Sequence, residues 1–193
     1  MTTLPELIAN AISVGLNDDF NKGFGWCFTE RFSYRFVLKA LSLWNWPAPD
    51  GYSPKSLRYA SEYTLPFPPS EKAGPPLNID IVVLNSRHGR RSVVRARNKV
   101  RNEIWRYAAE VKWIAGGKAT TPESANSDLE RLVQLRLIKP TAQLHFIMAG
   151  NSSQIKAWTK SAACPAALDV AASCLADKYG ACVFTLKDLV CTT

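Results

Sequence analysis

The chain has 193 residues, of which 47% are hydrophobic and 21% are charged, values that are ordinary for one globular domain with a buried core. Its 24 Lys and Arg residues outnumber its 16 Asp and Glu residues, and the net charge of +8 favours an anionic partner, nucleic acid before an acidic membrane surface. No apolar run approaches the ~18–20 residues that cross a bilayer, and the N-terminus lacks the pattern of a signal peptide. These features predict a soluble protein that does not enter a membrane.

The cysteine pattern argues against a disulfide framework and against a thiolate zinc site. The chain has five cysteines, an odd number, and none of them forms a Cys-x-x-Cys pair. Reduced thiols are usual in the cytosol, so the sequence predicts a cytoplasmic location.

Two helices are predicted before the first strand. Apolar residues at helical spacing begin one at Leu4, and Gly15 and Asn17 are expected to end it. Apolar residues largely on one side predict a second helix over 27–44.

A Ser-x-x-Glu capping box at Ser127 begins a later helix. The helices expected in the second half of the chain are 127–138, 152–162 and 165–179.

Short runs rich in β-branched and apolar residues, bounded by Pro, Gly and polar residues, predict five strands. These strands are 58–65, 78–85, 106–114, 143–148 and 181–186. The order of the elements predicts an α/β fold with a central sheet and helices on both of its sides. The chain has no internal repeat and no low-complexity tail, so residues 1–193 are expected to form a single domain.

Three of the charged residues in the predicted strands could form a site together, and an unpaired charge is costly to bury in a strand. Asp80 is near the start of one strand, and Glu110 and Lys112 are two residues apart in the next, so the latter two point to the same face. Carboxylates on neighbouring strands, about 4.8 Å apart, can share one Mg²⁺ ion. A nearby ammonium can orient a water molecule or stabilise charge that grows on a phosphate during hydrolysis.

The sequence NID at 78–80, followed by AAEVKW at 108–113, resembles the PD-(D/E)xK superfamily, the restriction-endonuclease-like nucleases. The order of elements extends the resemblance over roughly residues 27–150, although the sequence motif itself is only three residues. The resemblance implies a central mixed sheet flanked by helices and a phosphodiesterase that uses Mg²⁺, with Mn²⁺ as a substitute. It also implies that Asp80 and Glu110 bind the metal and that Lys112 is the catalytic lysine.

The superfamily often adds a glutamate from its first core helix, for which Glu30 is the natural match and Glu62 the alternative. The chain departs from the family pattern in two ways. Asn78-Ile79 stands where a proline usually precedes the aspartate, and residues 81–109 separate Asp80 from the Glu-x-Lys pair, where a tight hairpin is common. The expected substrate is DNA rather than RNA, and cutting both strands of a duplex would call for a homodimer or a larger assembly.

A strongly basic insertion, at about 86–106, separates the two strands that carry the motif. Its one acidic residue, Glu103, stands against eight basic residues. These eight are Arg87, Arg90, Arg91, Arg95, Arg97, Lys99, Arg101 and Arg106. Because Lys and Arg side chains bind phosphate backbones, the insertion is predicted to bind nucleic acid.

Other interpretations remain open at this level. Residues 91–114 also fit one long basic amphipathic helix, in which Glu110 and Lys112 would point about 200° apart and no site would form. Asp80, Glu110 and Lys112 could equally be a strand-end aspartate and an exposed ion pair. The competing functions are a non-catalytic nucleic-acid-binding or assembly protein that uses the basic insertion alone, and an interaction protein whose partner is an acidic protein.

Overall fold

The computed structural model describes residues 2–25, 28–47, 57–65, 77–85, 104–114, 122–176 and 178–187. The helices are α1 (Leu4–Asn21), α2 (Glu30–Leu43), α3 (Pro122–Ile138) and α4 (Ser152–Thr159). The strands are β1 (Leu57–Leu65), β2 (Leu77–Asn85), β3 (Ile104–Ile114), β4 (Gln143–Asn151), β5 (Leu168–Leu175) and β6 (Tyr179–Leu186). None of these helices is both long enough and apolar enough to cross a bilayer.

The strands form one open sheet with the order β1-β2-β3-β4-β6-β5. β3 and β4 run parallel, whereas every other neighbouring pair runs antiparallel, so the sheet is mixed. A parallel pair needs a crossover connection, and α3 lies in the connection between β3 and β4. The predicted α/β class with a central mixed sheet is confirmed at this level.

Two clusters of buried apolar side chains cover the two faces of the sheet. One cluster joins the sheet to α1 and α2, and the other joins it to α3 and α4. Successive side chains of a strand point to opposite faces. Accordingly, Tyr107, Ala109 and Val111 of β3 face α1 and α2, while Ala108 and Ile114 face α3 and α4. Helices therefore flank both sides of the sheet, as predicted.

The prediction that α1 ends near Gly15 and Asn17 is wrong, because both residues serve packing inside a longer helix. A side chain at Gly15 would overlap the Phe36 ring of α2, so glycine lets the two helices approach closely. The Asn17 amide donates to the Tyr179 carbonyl of β6 at 2.7 Å, which ties α1 to the sheet.

Three other predicted elements need correction. The helix expected over 165–179 is largely the strand β5, because antiparallel pairing with β6 and burial of Leu168 and Ala172 outweigh the helix preference of its alanines. α3 begins at Pro122 rather than after Ser127, and proline is favoured in the first turn of a helix. The alternative of one long helix over 91–114 is excluded from Ile104 onwards, where β3 is extended.

His145 of β4 gives the fold a specific dependence on pH. Its side chain is buried, its Nδ1 lies 3.2 Å from the Tyr107 hydroxyl, and burial lowers the pKa of His145 from 6.5 to about 4. Between pH 6.5 and about pH 4, His145 is therefore mostly protonated in the unfolded chain but mostly neutral in the folded protein. Protonation then favours the unfolded chain, so the stability of the fold decreases as the pH falls from 6.5 to about 4. We expect this residue to lower the free energy of unfolding by about 2 kcal/mol between pH 7 and pH 4.5.

Urea unfolding of the wild type and of His145→Gln at the two pH values measures this contribution. The variant should lose less stability than the wild type on acidification. An equal loss in both proteins would show that other groups account for the pH dependence.

Candidate active site

Antiparallel pairing of β2 with β3 brings Asp80 beside Glu110. Ile81 pairs with Ala109, and Asp80 and Glu110 are the next residues on the two strands. The backbone N–H of Val111 donates to Asp80 Oδ2 at 2.8 Å, so this carboxylate takes a bond that a strand backbone would otherwise make. The convergence that the sequence predicted across the long separation of these residues is therefore present in the fold.

Glu110 is fully buried and is paired with an arginine of α3. Arg131 donates from Nε to Glu110 Oε1 at 3.1 Å and from an Nη atom to Glu110 Oε2 at 2.9 Å. This is a bidentate ion pair between a planar guanidinium and a carboxylate. The Glu110 side chain has 0% exposure, whereas that of Arg131 has 31%. Burial raises the pKa of Glu110 above its ordinary value, although Arg131 acts in the opposite direction.

Lys112 lies between two carboxylates from different helices. Its Nζ is 2.7 Å from Asp128 Oδ2 of α3 and 3.9 Å from Glu30 Oε2 of α2. Burial of the ammonium acts to lower the pKa of Lys112, but the bond to Asp128 and the neighbouring carboxylates raise it above its ordinary value. The amine is therefore charged at neutral pH and is held by partners on both sides.

The N-terminal turn of α2 completes the group. Thr29 caps this helix by accepting the Phe32 N–H, and Glu30 is in the first turn. The Tyr34 hydroxyl donates to Glu30 Oε1 at 3.3 Å. Burial, followed by repulsion from Asp80, raises the pKa of Glu30. Because α2 and α3 belong to opposite helical layers, the site lies where side chains from both layers meet at the β2–β3 pair.

The group carries more negative than positive charge. Among the described residues, the group has two cations, Lys112 and Arg131, and four carboxylates, so its net charge is negative when all of them are ionised. The carboxylates are those of Glu30, Asp80, Glu110 and Asp128. Burial is the main cause that raises the pKa values of Glu30, Glu110 and Asp128, and repulsion from Asp80 contributes to each. An added cation of charge +2 would balance the excess.

The carboxylates are nevertheless not arranged as a metal site. Across the described ranges, no group of three or more His, Cys, Asp or Glu side chains has a geometry that could hold an ion. Both oxygens of Glu110 bind Arg131, and one oxygen of Asp80 accepts the Val111 N–H. The donor chemistry suits Mg²⁺, but the guanidinium of Arg131 competes with a cation for the oxygens of Glu110.

The structure brings together all four residues that the sequence singled out for catalysis: Asp80, Glu110, Lys112 and Glu30. The alternative glutamate, Glu62, has a positive φ of 53° and pairs with Arg31 at 2.5 Å, whereas Glu30 contacts Lys112. Sequence reasoning missed Tyr34, Asp128 and Arg131. The available signal was the spacing of Asp128 and Arg131, three residues apart on the helix that follows the Glu-x-Lys strand, which places them on one helical face.

Of the eight basic residues that were predicted to bind nucleic acid, the structure describes one. Arg106 is half-buried on β3 and donates to the Pro47 carbonyl. The remaining seven lie outside the described residues: Arg87, Arg90, Arg91, Arg95, Arg97, Lys99 and Arg101. Their predicted role stays a prediction.

Comparison of the chain with models of protein families, with curated proteins and with solved structures gave no match. The functional interpretation therefore depends on the geometry and charge of the site.

Proposed function

We propose that the protein is a metal-dependent nuclease that hydrolyses phosphodiester bonds, in DNA rather than RNA, on a restriction-endonuclease-like core. The observation that carries the proposal is the convergence of Asp80, Glu110 and Lys112, from two paired strands, into one largely buried charged group. Buried charges are costly, and strongly perturbed ionisable groups are more frequent at functional sites than elsewhere.

The donor chemistry of the carboxylates, rather than their present arrangement, suits a divalent cation as cofactor. Asp80 and Glu110 would hold Mg²⁺ or Mn²⁺, and an ion of charge +2 would stabilise the ionised forms of carboxylates whose pKa values burial raises. When bound, such an ion polarises a phosphoryl oxygen and acidifies a water molecule.

The other residues have roles that follow from their contacts. Lys112 is charged and is held between Asp128 and Glu30, so its ammonium can orient the attacking water or stabilise negative charge on the phosphate. Tyr34 fixes Glu30 through its hydroxyl, and Asp128 fixes Lys112. An amine held this way is ready for the transition state without reorganisation, which is the source of electrostatic catalysis.

The basic insertion supplies the contact with the phosphate backbone in this proposal. It joins the end of β2 to the start of β3, and Asp80 lies five residues from the end of β2. At about 3.3 Å per residue, this is roughly 17 Å along the strand. A nucleic acid that lies along the sheet could therefore meet the basic insertion and the charged group together.

Purified protein incubated with supercoiled plasmid and with single-stranded DNA tests the function. Nicking or cutting should require Mg²⁺ or Mn²⁺ and should stop with EDTA. Salt-sensitive retention of the DNA with no metal-dependent cleavage would rule out the nuclease.

DNA binding measured in EDTA is expected to depend strongly on salt. If half of the eight basic residues of the insertion contact phosphates, the logarithm of the binding constant should fall against the logarithm of salt concentration with a slope of about −3 to −4. Replacing Arg90, Arg91, Arg95 and Arg97 by Gln should flatten this slope. Lys156 of α4 and Lys160, which follows the end of this helix, are exposed and supply the control; an equal effect per charge removed would contradict the role of the insertion.

A second candidate function has one specific observation in its favour. Glu110 is paired with Arg131, and Lys112 with Asp128, so these buried charges have partners without any metal. A non-catalytic nucleic-acid-binding protein could keep such a network for structure alone. The plasmid experiment separates the two functions, because the binder would retain DNA without cutting it.

A further inference from the structure

A cavity of about 620 Å³ lies where the start of α1 and the end of α2 meet the first residues of β4 and the last residues of β6. Its volume is within the range of about 300–1,000 Å³ that is usual for small-molecule sites. The residues that line it include Leu4, Trp44, His145 and Thr185. Among the described residues, none is shared with the charged group of the candidate active site, so a ligand of this cavity would be separate from the proposed cleavage.

His145 brings a polar atom without a protein partner to this cavity. The residue has 5% exposure, and its Nδ1 lies 3.2 Å from the Tyr107 hydroxyl. Its Nε2 forms no hydrogen bond within the part of the chain that the structure describes, and it is not among the side-chain atoms sealed from solvent. Because nearly all buried polar atoms have a partner, a molecule in the cavity is the remaining source of one.

Tyr107 determines which hydrogen-bonding role remains for Nε2. The Tyr107 hydroxyl is buried, and Nδ1 of His145 is the acceptor for its hydrogen among the described residues. Burial lowers the pKa of His145 to about 4, so the ring is neutral at pH 7 and carries one N–H. Since Nδ1 accepts, that hydrogen is on Nε2. The cavity therefore offers a buried donor, and a ligand must bring an acceptor to it.

The surroundings of His145 favour an acceptor with negative charge. Thr185 is the residue opposite His145 on β6, and both line the cavity. Arg136 of α3 also lines it and donates to the carbonyls of the next two residues of the chain, Leu186 at 3.4 Å and Lys187 at 3.1 Å. These bonds hold the guanidinium at the cavity, and no Asp or Glu is among the described residues that line it.

We propose that this cavity binds a small molecule that carries an oxyanion, either phosphate or carboxylate, on a flat ring. The oxyanion accepts from Nε2 of His145, the hydroxyl of Thr185 and the guanidinium of Arg136. The ring packs in the apolar part of the cavity, against Trp44 and Leu4. Hydrogen bonds that involve an ionised partner are about twice as strong as neutral ones, so the oxyanion provides the selectivity. Nucleoside monophosphates and aromatic carboxylates have this combination.

Isothermal titration calorimetry on the full chain tests the proposal with three probes: deoxyadenosine monophosphate, benzoate and deoxyadenosine. The first two distinguish a phosphate from a carboxylate, and binding of either one supports an oxyanion site. Deoxyadenosine lacks the oxyanion, so we expect it to bind at least about tenfold more weakly than its monophosphate. No binding of either anion at about 5 mM, or binding of the nucleoside as tight as that of the nucleotide, would overturn the proposal.

Two variants and one control locate the bound anion. Arg136→Gln removes the charge and should raise the dissociation constant about 30-fold, whereas Thr185→Val removes the hydroxyl with little change of shape and should raise it about fivefold. Lys156→Gln is the control for a lost charge, because Lys156 is exposed on α4 and does not line the cavity. If both cavity variants bound the anion as tightly as the control does, the anion would lie elsewhere and the proposal would be wrong.

Nitrogen-15 NMR of the histidine side chains tests the role of His145 without a substitution. The chain has two histidines, and the signals of His145 are those that titrate near pH 4. We expect the free protein to carry the His145 hydrogen on Nε2, and the bound anion to shift the signal of that N–H. A hydrogen on Nδ1, or an Nε2 signal that does not move at saturating anion, would contradict the proposed site.

Discussion

Replacing Glu110 by glutamine is expected to reduce metal-dependent cleavage about 10³-fold while the protein still folds. The substitution removes the negative charge that would hold the cation, and metal stabilisation of a transition state is worth several kcal/mol. Glutamine keeps the shape of the side chain, its amide oxygen can still accept from one nitrogen of Arg131, and the guanidinium keeps its ion pair with Asp128. Alanine is unsuitable here, because it would remove both acceptors of Arg131 and leave a cavity, which would confuse lost folding with lost activity.

The matched control for this substitution is Asp169→Asn. Asp169 is an exposed acid of β5 whose carboxylate is 3.4 Å from Lys187, so its neutralisation removes one charge and one ion pair away from the site. Cleavage is measured on plasmid with Mg²⁺, and folding is followed by circular dichroism and thermal unfolding. If Glu110→Gln folded normally and cut at the wild-type rate, Glu110 would not be a metal ligand.

Replacing Lys112 by methionine is expected to reduce the cleavage rate about 100-fold with little change in DNA affinity. Methionine keeps most of the apolar stem but removes the ammonium that Asp128 and Glu30 hold in place. An amine that acts on the attacking water or on the transition state affects kcat. Binding of the DNA phosphate backbone, which determines KM here, is assigned to other residues.

Lys187→Met is the corresponding control, since Lys187 forms the exposed pair with Asp169. Steady-state cleavage separates kcat from KM, and binding of uncleaved DNA in EDTA gives the affinity directly. A rise in KM with unchanged kcat would make Lys112 a phosphate-binding residue rather than a catalytic one.

The part of the site that lies on strands was accessible from the sequence. Asp80, Glu110 and Lys112 stand out because charges are rare within apolar strand-like runs, and alternation along a strand fixes which of them share a face. The partner of each charge was not accessible in this way. Asp128 and Arg131 lie on α3, whose orientation is set by packing of Leu129, Leu132 and Leu135 against the sheet.

The errors in the predicted fold have a common physical origin. In each case, contacts between residues distant in sequence outweighed the local sequence pattern on which the prediction was based. Gly15 and Asn17 are residue types that often end helices. In this fold, however, Gly15 makes room for the Phe36 ring and Asn17 donates to the Tyr179 carbonyl. The segment that forms β5 is rich in alanine and was predicted as a helix, but it lies at the edge of the sheet and pairs with β6. None of these contacts leaves a periodic pattern in the sequence.

Diffraction from crystals grown with Mn²⁺, recorded for anomalous scattering, tests the central claim most directly. The proposed function predicts an anomalous peak within about 2.2 Å of carboxylate oxygens of both Asp80 and Glu110. A map with no peak there, and with Glu110 still bound to Arg131 at saturating Mn²⁺, would contradict a metal site at this pair of strands.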